Sequence, residues 1–196
     1  MKVVVIKYNA GNVKSVEIAL ERLGISSILT DSPDEILTAD KIIFPGVGEA
    51  SSAMKYLKQR GLDQVILDVK QPFLGICLGM QLMCSHSEEN NTTCLKIFPE
   101  NVLKFEANAL KLKIPQIGWN TIYNLKSPIF KGVNENSYCY FVHSYYASLG
   151  MQTISTTNYG LEYSSGLQLK NYYGVQFHPE KSAENGTKII QNFLQL

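Results

Sequence analysis

The sequence predicts an α/β domain: a mostly parallel central sheet flanked by helices, with an additional antiparallel strand region. Three observations predict it. From Lys2 to Ser85, short β-branched runs alternate with stripes of helical period. From about Leu95 to Tyr173, aromatic and β-branched runs are broken by Pro, Asn and Gly, as in antiparallel strands. No repeat, low-complexity tract or Pro/Gly/Ser linker divides the 196 residues, so one domain is expected over 1–196.

Lys2–Ile6 reads as a buried strand. Val13, Val16, Leu20 and Leu23 fall on one helical stripe. Ser26–Thr30 is the next strand. Ser32-Pro33-Asp34-Glu35 opens a helix with an N-cap, a proline at the first position and acids in the first turn. Lys41–Phe44 is an apolar strand ended by Pro45-Gly46, and Ala50–Arg60 and Leu62–Val69 read as helices. Phe73–Ile76 is a short strand that runs into a helix over Leu78–Ser85. Ser182–Leu196 closes the chain as a helix with Ile189, Ile190, Phe193 and Leu194 on its apolar face.

Net charge is +1 with no basic run, which argues against nucleic acid as a partner. The apolar stretch after Met1 is too short for a signal peptide or a membrane span. The sequons at Asn90, Asn91 and Asn185 are then chance matches. Cys77, Cys84, Cys94 and Cys139 show no CxxC spacing, so neither a metal site nor a disulfide framework is expected. A reducing cytoplasm is the compartment that would keep a catalytic thiol available.

The stretch Pro72-Phe-Leu-Gly-Ile-Cys-Leu-Gly-Met-Gln81 holds Gly75, Cys77 and Gly79 at a strand-to-helix junction. This is the nucleophile-elbow pattern with Cys for Ser. The glycines allow a tight turn, and the helix N-terminus favours thiolate over thiol. The N–H of Leu78 then points where an oxyanion would develop. Cys84 and Cys139 read as packing residues, and Cys94 lies in a polar loop with no role.

A thiol nucleophile benefits from a base, and the base from an orienting group. His178 stands at the end of an apolar strand stopped by Pro179, with Glu180 two positions on. His143 alternates out of a strand, where it could line the cleft or serve as a hydrogen-bonded structural residue. His86 reads as incidental. Phe44-Pro-Gly-Val-Gly-Glu49 follows a buried strand, where open α/β sheets place ligands. Val47 N–H, exposed by Gly46 and Gly48, is a candidate second oxyanion donor.

Taken together these motifs resemble the class-I, triad-type glutamine amidotransferases over nearly the whole chain. Gly-Ile-Cys-Leu-Gly-Met-Gln and Phe-His-Pro-Glu carry most of the likeness. Tyr8–Ser15, Pro45–Gly48, Gly118–Asn120, Tyr140–Tyr145 and Gln176–Ser182 are most similar to the glutaminase subunits of imidazole glycerol phosphate synthases. The resemblance implies a Cys77, His178 and Glu180 triad, an oxyanion loop at Gly46 and Val47 that rearranges in the active complex, and glutamine held by Gln81 and Glu89. It implies that the backbone at Ser144 and Tyr145 binds the amino-acid end. Asn12, Ser15, Trp119, Tyr140 and Lys181 match positions facing the partner and the ammonia exit. The implied partner is a (βα)8-barrel cyclase in a heterodimer, with L-glutamine as substrate and no cofactor or metal.

The sequence departs from the pattern at Pro115-Gln-Ile-Gly-Trp-Asn120, where the family has His in place of Gln, and at Thr93–Glu100, where its glycine-rich stretch is eroded. Related glutaminases supply ammonia for acetamidino-sugar formation, which is the alternative expectation for the pathway. A γ-glutamyl or general cysteine peptidase on the same elbow is the other. Gln81, Glu89 and the 45–48 loop favour small glutamine over a peptide.

Overall fold

The structure, a computed structural model, describes residues 1–8, 13–106 and 112–196. Its first half runs β1 (Val3–Ile6), α1 (Val13–Arg22), β2 (Ser27–Thr30), α2 (Pro33–Leu37), β3 (Lys41–Phe44), α3 (Ala50–Gln59), α4 (Leu62–Asp68), β4 (Phe73–Ile76) and α5 (Leu78–Met83). Each expected element is present. α5 stops two residues short of Ser85 because Cys84 leaves the helix at φ −68°, ψ 178°. Ser32 caps α2 in an extended conformation but makes no side-chain hydrogen bond there.

β1, β3 and β4 are buried at every residue, since helices cover both faces of the parallel sheet. Alternate side chains enter opposite layers. Val4, Ile42, Phe44 and Phe73 pack with residues of α3, α4 and α5. Val3, Val5, Ile43 and Leu74 pack with Val16 and Leu20 of α1 and with Ile189, Ile190 and Phe193 of the C-terminal helix, α6 (Ala183–Leu194).

The second half supplies β5 (His86–Ser87), β6 (Thr92–Thr93), β7 (Asn101–Lys104), β8 (Gln116–Ile122), β9 (Ser137–His143), β10 (Tyr145–Ala147), β11 (Thr153–Asn158), β12 (Glu162–Leu169) and β13 (Tyr172–Val175). Among the described residues the main sheet runs β2-β1-β3-β4-β13-β12-β10-β7-β5-β6, with β11 also on β12. β8 and β9 form a separate antiparallel ribbon.

The antiparallel region was expected to extend to Tyr173, but β13 belongs to both regimes. It pairs parallel with β4 and antiparallel with β12. All four of its residues are buried, as a central strand requires. This placement builds the site. Val175 lies opposite Ile76, so the chain leaves two neighbouring strands side by side, with Cys77 after one and His178 after the other. Among the described residues no helix is long and apolar enough to cross a membrane.

Candidate active site

Cys77 sits between β4 and α5 at φ 54°, ψ −111°. A side chain seldom adopts a positive φ, and such strain persists only where the surroundings impose it. Here the Cys77 N–H donates to Val175 O at 2.8 Å. Gly79 lies so close to β3 that a β-carbon would collide with the Phe44 carbonyl, and one at Gly46 would collide with Tyr8 Oη. The elbow and the 45–48 loop therefore touch backbone to backbone.

His178 is buried, and its Nδ1 lies 2.8 Å from Glu180 Oε1. Cys77 lies close enough for its charge to act on the ring. Burial alone would lower the imidazole pKa. The negative charge of Cys77, then the hydrogen bond and charge of Glu180, outweigh burial and raise it to about 10. The ring is thus held in its protonated form beside Cys77. Among the described residues, the buried Glu180 Oε2 has no hydrogen-bond partner.

Among the described residues two groups hydrogen-bond the sulfur. The Cys77 thiol faces Val142 O at 3.7 Å, and Gln176 Nε2 donates to Sγ at 3.7 Å. Gln176 is in turn held by Gln81, whose Nε2 donates to Gln176 Oε1 and to Tyr145 O, each at 2.9 Å. Sequence reasoning gave Gln176 no role. The available signal was its position two residues before His178, which puts both on one side of an extended chain.

A cleft of about 330 Å³ opens over Cys77. Val47, Leu78, Gln81, Glu89, Ser144, Tyr145, His178 and Lys181 line it, so the structure brings most of the expected residues together. The Tyr145 carbonyl is already engaged by Gln81 and by His143 Nδ1 at 2.7 Å, and the Ser144 carbonyl accepts from Phe105 N. Glu89 Oε2 accepts from Ala50 N at 2.8 Å. Burial raises the Glu89 pKa against the lowering effect of that N–H. Leu78 N–H, the expected oxyanion donor, already has an acceptor. It donates to Gly46 O at 3.4 Å, so the loop carbonyl occupies the donor.

His143 proves to be both things the sequence allowed. It borders the cleft, and it is fixed by Tyr145 O and by Tyr163 Oη at 3.2 Å from Nε2. Burial lowers its pKa to about 4. Cys84 and Cys139 are buried as expected. Cys94 lies in the loop just after β6, as expected, but is buried against the core there, and burial pushes its pKa up to about 12.

Asn12 lies outside the described residues. Ser15 is half-buried on α1. Trp119 and Tyr140 face each other across the β8–β9 ribbon, ring centroids 5.9 Å apart. Lys181 is exposed and borders the cleft as well as a second hollow that Trp119 lines. Among the described residues no group of three or more His, Cys, Asp or Glu side chains is arranged to hold a metal.

The family model described as glutamine amidotransferase class-I matches residues 4–196. The imidazole glycerol phosphate synthase subunit HisH of Bacteroides fragilis (strain YCH46) is 52% identical over 196 residues, covering 100% of both chains. The subunit of the same name from Blochmanniella floridana is 48% identical over 198 residues, again covering 100% of both. Among solved structures, a putative GMP synthase subunit from Thermoplasma acidophilum matches with TM-score 0.76 at 20% identity, covering 100% of this chain and 93% of the other. A glutamine amidotransferase from Thermotoga maritima matches with TM-score 0.67 at 20% identity, covering 100% and 83%. At that identity the structural likeness speaks to fold alone.

Proposed function

The chain belongs to the class-I glutamine amidotransferases, and on that premise we propose that it is the glutaminase subunit of an imidazole glycerol phosphate synthase. In this reading it hydrolyses L-glutamine in the cytoplasm and passes ammonia to a (βα)8-barrel cyclase in histidine biosynthesis. The full-length relatives at 48% and 52% identity favour this pathway over the acetamidino-sugar one.

The observation that carries the reading is the meeting of an elbow thiol with an imidazole anchored by a carboxylate 2.8 Å away, in one cleft. Cys77 thiolate attacks the side-chain amide carbon of glutamine, forming the C–S bond. The carbonyl oxygen takes the negative charge. His178 imidazolium gives its proton to the leaving nitrogen, the C–N bond breaks, and ammonia departs. The now neutral His178 takes a proton from water, whose oxygen attacks the thioester. The C–S bond then breaks, releasing glutamate and restoring thiolate and imidazolium. Glu180 holds the ring in register throughout, and Gln176 donates to the sulfur. Gln81, Glu89 and the backbone at Ser144 and Tyr145 hold the substrate.

Leu78 and Val47 N–H groups are the oxyanion donors of this mechanism. With Gly46 O on Leu78 N–H, the hole is closed. Losing one such donor typically costs roughly 100- to 1000-fold in rate. The free subunit is therefore expected to be nearly inactive, and the partner to switch it on by turning the 45–48 loop. The exposed Trp119 and Lys181, with Tyr140, Ser15 and Asn12, are assigned to the partner face.

The test is glutamine turnover with and without the cyclase. Partner stimulation of roughly 100-fold or more is expected on the same basis. Cys77→Ala should abolish glutamine-dependent synthesis by the complex and spare ammonia-dependent synthesis. Glutamine hydrolysis that survives Cys77→Ala would remove the nucleophile from this scheme.

A further inference from the structure

The 45–49 loop and the cleft carboxylate Glu89 are distant in sequence, yet two hydrogen bonds join their segments. Ala50 N–H, the first of α3, donates to Glu89 Oε2 at 2.8 Å. Asn90 Nδ2 donates to Glu49 Oε1 at 2.7 Å. Glu49 in turn caps α3, accepting from Ser51 N at 2.8 Å and Ser52 N at 3.0 Å. Asn90 and Asn91 both take left-handed conformations, φ 51° and 50°, which Asn tolerates better than most side chains. Gly48, at φ 123°, lies between this junction and Val47.

We propose that Glu89 and Asn90 clamp the first turn of α3, and that the α-ammonium of glutamine loosens the clamp, so that an occupied cleft frees the 45–48 loop to open the oxyanion hole. The inference rests on the reading of Glu89 as the residue that meets the ammonium of a glutaminase substrate. The physical argument is competition. A carboxylate at a helix N-terminus is held by N–H groups and by the positive end of the dipole. An ammonium arriving on the same carboxylate draws on the same lone pairs and charge, so the bond to Ala50 weakens. Gly48 then offers a swivel that no other residue type provides as readily. While the clamp holds, Gly46 O stays on Leu78 N–H. Hydrolysis is thereby tied to the presence of substrate as well as partner. Glu89 and Asn90 act on the oxyanion donors through α3, as positioning residues.

Ala50→Pro isolates the effect. It deletes one N–H at a helix position that accepts proline. Glu49 before it is extended at φ −124°, ψ 136°, as a residue preceding proline prefers. The experiment uses the complex with its cyclase in a Cys77→Ala background, where glutamine binds without turning over. Glutamine should change amide hydrogen exchange in peptides spanning residues 44–52 by roughly three-fold or more. Adding Ala50→Pro should remove most of that response while calorimetry still registers glutamine binding. Asn90→Ala, which severs the second tie, should weaken the response, and Ala50→Gly, which keeps the N–H, should retain it. A full response in both Ala50→Pro and Asn90→Ala would overturn the clamp and leave the glutaminase reading standing. No glutamine binding in the Cys77→Ala complex would overturn the reading of Glu89, and the clamp with it.

Discussion

The two buried histidines beside the cleft, His143 and His178, end with pKa values shifted in opposite directions. Burial acts downward on both. At His178 the thiol and carboxylate neighbours overcome it and raise the value to about 10. At His143 burial prevails, aided by the charge of His178, and the value falls to about 4. A raised pKa adds stability that is fully present below the ordinary value near 6.5 and is lost as pH climbs through 10. A lowered histidine pKa adds stability that is present above 6.5 and is lost as pH falls toward 4. For His143 the span from 6.5 to about 4 corresponds to about 3 kcal/mol. Urea unfolding of the free subunit should therefore show stability falling from about pH 6.5 to about pH 4.5. His143→Gln should flatten that slope, and an unchanged slope would show that other groups carry it. A neutral His143 also orders its neighbours. Nδ1–H donates to Tyr145 O, so Tyr163 O–H must serve Nε2. The Gln116 amide, whose Oε1 faces Tyr163 Oη and whose Nε2 has no hydrogen-bond partner among the described residues, is then better turned so that Nε2 donates to Tyr163 Oη. Tyr8 poses the reverse case: its buried hydroxyl has no partner among the described residues. Tyr8→Phe should leave the melting temperature unchanged or raise stability by up to about 1 kcal/mol, where removal of a bonded hydroxyl would lower it.

Elements of the first half were legible because each carries its own signal. β1 and β3 are apolar runs ended by Lys7 and Pro45, β4 is one that runs into the elbow, and α1 shows its buried Val16 and Leu20 at helical spacing. The elbow was legible for a stronger reason, since its glycines are required by contact. Gly79→Ala would drive a β-carbon into the Phe44 carbonyl. Main chain cannot yield as a side-chain end does, so a cost of about 3 kcal/mol or more is expected, toward the upper range of overpacking. A β-carbon on Gly61 would meet nothing within 4 Å among the described residues, so the constraint there is φ 66°. Gly61→Ala should cost only about 1 kcal/mol. Melting curves of the two variants separate these cases, and equal losses would mean that contact at Gly79 is relieved by a shift of α5. What the sequence left hidden depends on pairing between distant segments. β13 looks like another strand of the antiparallel run, and only its neighbours β4 and β12 make it the strand that brings His178 to Cys77. The Gly46 carbonyl on Leu78 N–H is likewise a choice of loop orientation that residue types do not encode. The link from Glu89 to Ala50 spans 39 positions and has no local pattern.

At the scale of the molecule, the β8–β9 ribbon divides its side chains sharply. Cys139, Phe141 and His143 turn inward to the core. Ile117, Trp119 and Tyr138 turn outward, exposed by 63%, 53% and 59%. The register sets Ile117 opposite Val142 and Trp119 opposite Tyr140, so the outward residues form one continuous apolar face beside the cleft mouth. Aromatic anchors within such a face are the usual carriers of association energy. If the cyclase covers this ribbon, a charge at its centre has nowhere to be solvated in the complex, while in the free subunit it meets only water. Ile117→Lys should therefore leave the melting temperature of the isolated chain unchanged within error. It should weaken binding of the cyclase roughly ten-fold or more, as for loss of a buried interface contact worth above about 1 kcal/mol. Partner-stimulated glutamine turnover should fall at limiting cyclase and recover at excess, because the triad itself is untouched. A titration in which Ile117→Lys binds and responds like the parent chain would place the partner on another face of the molecule, and Trp119 and Tyr140 would then need a different explanation for their exposure.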